Sequence, residues 1–256
     1  MSSSGLESAL VRLDGITRRL RRECPWDREQ DERSIVPHTV EEAYELADAA
    51  HAGDDAKMLD ELGDVLFQVY FLALLLEERE AGDLAAVAEH CADKLVRRHP
   101  HVFGEAGADD AAAVVRQWEA IKQTEPGRDT ALFGEVPENL PGPLYARKVQ
   151  RRAAERGFDF ARAPDALSSL REEVGELEEV AGTGGEAAFQ EMGDVLFAAV
   201  NVARKLSVDP ELALRGAAER FRGRVEAAAR LAEEHGERWD ELTPERQLEH
   251  YRGARP

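Results

Sequence analysis

The chain has 256 residues, a formal net charge of -19, and 43% hydrophobic, 33% charged and 6% aromatic residues. So acidic a surface excludes a general binder of nucleic acid or anionic membrane, which needs a basic field against phosphates, and suits cation binding instead. Few aromatics among many charges fit a helical protein better than a sheet protein, and the length allows one large or two small domains.

The opening stretch, MSSSGLESALVRLDG, holds no apolar signal-peptide core, and the longest apolar run, Val69 to Leu76, is far short of a membrane span. A cytoplasmic protein with no membrane partner is expected. The first predicted element is a basic helix, VRLDGITRRLRRE, ending in the turn CPWD. A second helix carries EExxE in TVEEAYELADAA, with Val40, Ala43, Leu46 and Ala47 at helical spacing. HAGDD ends it. The third helix, DELGDVLFQVYFLALLL, places Glu61 and Asp64 at the mouth of a core-forming apolar run. A fourth, DLAAVAEHCADKLVRRHP, carries Lys94 and Arg98, and RQWEAIK follows with Trp118 and Lys122. Cys24 and Cys91 lie outside any CxxC pair, so two reduced thiols packed as small apolar groups are expected. His99 and His101, around Pro100, read as terminating and packing residues, because no third nitrogen or sulfur ligand is evident.

The second half repeats this plan. Asp27 to Asp159 is 132 residues, Glu42 to Glu173 is 131 and Asp64 to Asp194 is 130, a drift that an internal duplication with two single-residue gaps explains. PLYARKVQRRAAER and GFDF match the opening helix and turn, LREEVGELEEVA matches the EExxE helix, GTGGE the break, and QEMGDVLFAAV the third helix. DPELALRGAAERFRGRVEAAARLAEEHG supplies the fourth. No segment alternates β-branched and polar residues with period two, so the fold is predicted to be all-α. EVPENLPGPL, Glu135 to Leu144, reads as a linker. The predicted organisation is two tandem helical-bundle domains, 1–139 and 140–256.

Residues three apart on a helix project from nearly one face, so Glu42 with Glu45 and Glu61 with Asp64 form acidic pairs that an antiparallel hairpin brings together. Four carboxylates in a small volume repel and raise one another's pKa unless a cation compensates. An all-oxygen donor set favours Mg²⁺ or Mn²⁺, which keep coordination sites open for water and phosphate oxygens. A lone acidic pair in a chain with 52 Asp and Glu is ordinarily a solvated face, but two pairs in order, repeated at one offset, point to a metal site. Lys57, one turn before Glu61, suggests a polyphosphate ligand. Lys94 and Arg98 fit either phosphate binding or the preference for cations at a helix C-terminus.

These motifs in this order, from CPWDREQ, TVEEAYEL and DELGDVLFQV through DKLVRRHPHVF and WEAIK to KVQRRAAERGFDF and EMGDVLFAAVNVARKL, resemble the MazG family within the all-α nucleoside triphosphate pyrophosphatases. The resemblance implies Mg²⁺-dependent hydrolysis of a nucleoside triphosphate between the α and β phosphates, by a homodimer. It implies metal ligands at Glu42, Glu45, Glu61 and Asp64, and again at Glu173, Glu176, Glu191 and Asp194. Glu41, or Glu42, would take the proton of a metal-activated water. Glu172, the counterpart of Glu41, would be a substrate contact in the second half. Lys57, Lys94 and Arg98 would hold the triphosphate and stabilise the departing pyrophosphate. Trp118 and Lys122 fit either contact with base or phosphates or plain packing.

The halves differ in detail. Ala187 stands where Lys57 stands, Arg220 and Arg224 replace Lys94 and Arg98, Tyr251 and Arg255 loosely match Trp118 and Lys122, and Asn201 has Phe71 as its counterpart. The first half is therefore expected to be catalytic and the second weaker or structural, with Asn201, Arg220 and Arg224 as substrate contacts there. A narrower pyrophosphohydrolase, for deoxyuridine nucleotides or phosphoribosyl-ATP, is the alternative within the superfamily. An oxidative di-metal bundle needs ExxH, and no histidine lies three residues after a Glu. A non-enzymatic acidic scaffold is the alternative from another class.

Overall fold

The computed structural model describes residues 3–107, 110–125, 131–134, 136–137, 139–182 and 184–254. Among them the chain is helical and contains no strand. It forms two compact units, Met1–Pro126 and Gly127–Pro256.

The first unit comprises α1 (Ser3–Glu23), α2 (Pro25–Glu29), α3 (Glu32–Ala52), α4 (Asp55–Glu78), α5 (Leu84–Arg98), α6 (Pro100–Phe103) and α7 (Ala111–Gln123). Its centre is the α3–α4 hairpin. Helix α3 starts at Glu32, well ahead of the EExxE motif, because Asp31 and Ser34 form a capping box: Ser34 N–H donates to Asp31 Oδ1 at 2.8 Å and Asp31 N–H donates to Ser34 Oγ at 2.9 Å. The helix runs on through Pro37, which forgoes one intrahelical hydrogen bond. Gly53 (φ 70°) closes α3 in the left-handed conformation, and Asp54 caps α4 by accepting from the N–H groups of Ala56 and Lys57 at 3.1 and 3.0 Å. Two residues thus end one helix and start the next.

Phe71, wholly buried, packs with Ile35 and Leu75, and with partly buried Phe67 and Leu72. Helix α1 lies on α4, but through charge as much as apolar area. Arg18 donates to both Glu77 carboxylate oxygens (2.9 and 2.6 Å), Arg21 to both of Glu78 (2.8 Å each), and the Arg21 guanidinium stands 5.8 Å from the Phe71 ring centroid. CPWD forms the short helix α2 rather than a bare turn, with Pro25 in the first turn, where its missing N–H costs nothing. Both cysteines are free; Cys91 is exposed, so the expectation that it packs as a core group is corrected.

The second unit comprises α8 (Gly142–Glu155), α9 (Ala163–Val180), α10 (Gly185–Lys205), α11 (Pro210–Glu234), a 3₁₀ turn (Trp239–Glu241) and α12 (Pro244–Gly253). Helices α9 and α10 form the matching hairpin, turned at Gly184 and Gly185, both with positive φ (60° and 72°). Its core is built from small residues, Ala166, Ala198, Val200, Val202, Ala228 and Ala232. Asp209 caps α11 and pairs with Arg147 of α8. The proline-rich stretch 135–144 leads into α8, whose first turn contains Gly142, Pro143 and Leu144; Glu135 and Glu138 lie outside the described residues.

Candidate functional site

The turn at Gly53–Asp54 sets the height of each acidic residue. Counting outward along the two helices, Glu45 and Glu61 fall at one level and Glu42 and Asp64 one turn further from the turn. One carboxylate oxygen from each of Glu42, Glu45 and Glu61 lies within 4.8 Å of the others. Asp64, exposed, stands outside this trio but is the strongest charged neighbour of Glu42. Burial first, then the charges of Asp64, Glu45 and Glu41, push the Glu42 carboxyl above its ordinary pKa. Burial, followed by the Glu45 charge, does the same to Glu61, which is only 5% exposed. Lys57 Nζ, 3.9 Å from Glu61 Oε1, opposes that rise. Glu41, next to Glu42, keeps an exposed carboxylate, 3.5 Å from His38 Nδ1.

In the second unit the trio is Glu173, Glu191 and Asp194, again within 4.8 Å. Here Glu176 and Glu172 stay outside and exposed. Burial and then the charges of Glu176, Asp194 and Glu191 raise the Glu173 carboxyl. Glu191 Oε2 is buried with no hydrogen-bond donor, an orphaned anionic oxygen facing other carboxylates. Each hairpin therefore gathers oxygens of one sign with no nitrogen or sulfur donor, and a hard divalent cation is the group such a set fits.

The cationic residues form a separate arrangement across α5 and α7. Arg98 donates to Glu125 Oε1 and Oε2 (3.0 and 2.5 Å), and Arg97 donates to the same carboxylate at 2.8 Å. These two guanidinium groups hold the Glu125 carboxyl down at about 2. The Trp118 ring takes Arg98 on its face at 5.7 Å and Lys122 at 4.5 Å. Lys94 is half-buried one turn before Arg98. Glu125 escaped the sequence reading, because no motif marks a carboxylate whose part is to tie α7 to α5.

The second unit echoes this with different chemistry. Arg224 Nε donates to the Tyr251 carbonyl at 3.0 Å, and its guanidinium lies 4.3 Å from the Tyr251 ring centroid. Arg220 is exposed, Ala187 occupies the Lys57 position, and Arg255 lies outside the described residues. Asn201 Oδ1 accepts from Arg204 Nε and Nη2 at 3.0 and 2.7 Å. His99 turns back on the C-terminus of α5, its Nδ1 2.6 Å from the Leu95 carbonyl, and neither it nor His101 joins a carboxylate trio.

Residues 30–103 match the family model of the MazG nucleotide pyrophosphohydrolase domain. Over 233 residues the chain is 38% identical to the nucleoside triphosphate pyrophosphohydrolase of Escherichia coli K12, covering 88% of this chain and 89% of that protein. The chain belongs to the MazG family. The MazG protein of Thermotoga maritima, a nucleoside triphosphate pyrophosphohydrolase/pyrophosphatase, is likewise 38% identical over 233 residues, 91% of this chain and 89% of that one. That of Mycobacterium tuberculosis is 35% identical over 165 residues, 63% of this chain and 50% of that protein. The MazG-matched stretch contains the first carboxylate trio, Lys57, Lys94 and Arg98.

Proposed function

We propose that this MazG chain is a Mg²⁺-dependent nucleoside triphosphate pyrophosphohydrolase, adding water across the α–β anhydride to give a nucleoside monophosphate and pyrophosphate. The observation that carries the reading is the trio Glu42, Glu45 and Glu61, all oxygen and all within 4.8 Å, on a hairpin that the family model matches. Those three, with Asp64, would hold Mg²⁺ or, in its place, Mn²⁺; the bound cation supplies charge neutralisation and an acidified water. Glu41, whose carboxylate is exposed beside His38, is the base for the water's proton. Lys57, next to Glu61, would neutralise charge on the phosphates, and Lys94, Arg98 and Lys122, on α5 and α7, would be the further cations for the leaving pyrophosphate.

The first unit carries the main activity in this reading, because the second has Ala187 in place of a lysine while retaining Glu173, Glu191 and Asp194, with Glu176 beside them. A homodimer is the expected assembly. Its support is the repetition of one apolar groove at equivalent positions: Leu10, Leu66 and Val69 in the first unit, and Gly142, Leu196 and Ala199 in the second. Sedimentation that gives the mass of one chain would remove the dimer. Incubation with each common NTP and dNTP, with Mg²⁺ or with chelator, followed by separation of the phosphates, tests the chemistry. Monophosphate plus pyrophosphate only with Mg²⁺ is expected; diphosphate plus orthophosphate, or no turnover, overturns the reading.

A further inference from the structure

Arg97 and Arg98 are successive residues at the end of α5, and successive helical side chains leave the axis about 100° apart. Both nevertheless turn onto one carboxylate. Arg97 donates from Nε and Nη2 to Glu125 Oε1 at 3.2 and 2.8 Å, while Arg98 donates from Nε to Oε1 at 3.0 Å and from Nη2 to Oε2 at 2.5 Å. Two planar forks closed on one anion is also how guanidinium groups hold phosphate. The carboxylate is the poorer guest of the two. It brings two oxygens and one charge, where a terminal phosphate brings three oxygens and about two charges. The Trp118 ring, 5.7 Å from Arg98 and 4.5 Å from Lys122, brings a third cation near the pair.

Glu125 is placed where it can withdraw. Helix α7 ends at Gln123, and Thr124 closes it, its N–H and Oγ1 both donating to the Ile121 carbonyl at 3.0 and 2.8 Å. Glu125 follows that closing residue, so rotation about its own backbone removes the carboxylate without unwinding a turn of α7. Trp118, inside the helix, keeps its contact with Arg98 meanwhile. The closed pair is nonetheless the favoured state. The side chains of Arg98 and Glu125 are 17% and 14% exposed, and the hydrogen bonds from Arg98 and then Arg97 hold the Glu125 carboxyl ionised down to about 2. At neutral pH an anion that reaches these arginines must therefore displace another anion. A site whose open form is the minor one binds its ligand more weakly by that fraction. In the second unit Arg224 donates instead to the Tyr251 carbonyl, a main-chain group fixed within α12.

We propose that Glu125 is an internal competitor for the phosphate end of the ligand: it occupies Arg97 and Arg98 until a polyphosphate displaces it, and so limits how tightly the first unit holds substrate and product. That the displacing anion is a polyphosphate rests on the reading above. The full chain, with chelator present and at fixed ionic strength, is titrated by calorimetry with inorganic pyrophosphate and with tripolyphosphate. Glu125→Gln, whose amide competes without charge, tightens binding of both by about fivefold or more. Glu125→Asp keeps the charge but is one methylene short of the two forks; it gives an intermediate gain and serves where Glu125→Gln does not fold. Glu89→Gln removes the same charge from an exposed position two turns before Arg97 on α5 and leaves the affinity unchanged. With Arg98→Ala added to Glu125→Gln, the gain disappears. Weaker or unchanged binding in the folded Glu125 variants shows a brace for the arginines and overturns the competitor. Equal tightening by Glu89→Gln, or a gain that survives Arg98→Ala, overturns it too. Triphosphate turnover is scored separately, and in Glu125→Gln the KM falls with kcat little changed, whereas a loss confined to kcat marks a brace. Cleavage without tighter binding in the variants removes the competitor and keeps the hydrolase reading, while tighter binding without cleavage does the reverse.

Discussion

The α3–α4 and α9–α10 hairpins present the same acidic residues in the same order, yet the ground beneath them differs. In the first, Phe71 is sealed between Ile35 and Leu75, Arg21 covers it, and Lys57 stands beside Glu61. In the second, alanines and valines make the core, Asn201 sits at the Phe71 position, and no lysine accompanies Glu191. A carboxylate trio needs only the helical spacing and a tight turn, which both hairpins keep. Its electrostatic surroundings and the space beside it depend on single side chains, and those have diverged.

The largest effect expected from this contrast is on turnover. Glu61→Gln removes a buried carboxylate of the first trio and should lower kcat/KM by on the order of 1000-fold or more, whereas Glu191→Gln should retain most activity. Steady-state pyrophosphate release decides, and the opposite pattern would move catalysis to the second unit. Stability should show the contrast next. Phe71→Ala should cost about 3 to 5 kcal/mol in urea unfolding, while Asn201→Ala, which loses its bonds to Arg204, should cost about 1 kcal/mol. Similar losses at both positions would mean the second unit is packed as tightly as the first.

Lys57→Ala should lower kcat/KM by about 100-fold, and Ala187→Lys in the Glu61→Gln background should recover part of the lost turnover. No recovery would show that the missing lysine is not what separates the units. The smallest effect concerns acid. Glu125 titrates at about 2 when folded and near its ordinary 4.5 when unfolded, so its contribution is complete above pH 4.5 and is lost as pH falls toward 2. In acid titrations followed by Trp118 fluorescence, Glu125→Gln should flatten the transition between those values, with the α12 contacts of the second unit unaffected.

Helix order and the twin hairpins were legible in the sequence because apolar periodicity, acidic spacing and glycine breaks are local signals. The start of α3 at Glu32 was not, since a capping box written Asp-x-x-Ser lies beyond a proline that ordinarily argues for a boundary. Which carboxylates would meet was only partly legible. Spacing nominated Glu42, Glu45, Glu61 and Asp64 alike, but side-chain packing brings Glu45 into one trio and leaves Glu176 out of the other. The α7 and α12 attachments escaped for a similar reason: they rest on contacts of Arg98 with Glu125 and Arg224 with Tyr251, groups far apart in the chain.

Helix α1 is fastened to α4 by two forked arginine–carboxylate pairs, Arg18 with Glu77 and Arg21 with Glu78, at the far end from the acidic mouth. Apolar contacts tighten as salting-out ions are added, whereas partly exposed ion pairs weaken as the Debye length shrinks. The two fastenings of the first unit thus respond to the ionic medium in opposite directions. In a sulfate-rich solution the hairpin core is drawn tighter while α1 is held more loosely, so ionic composition sets how firmly the first unit is wrapped.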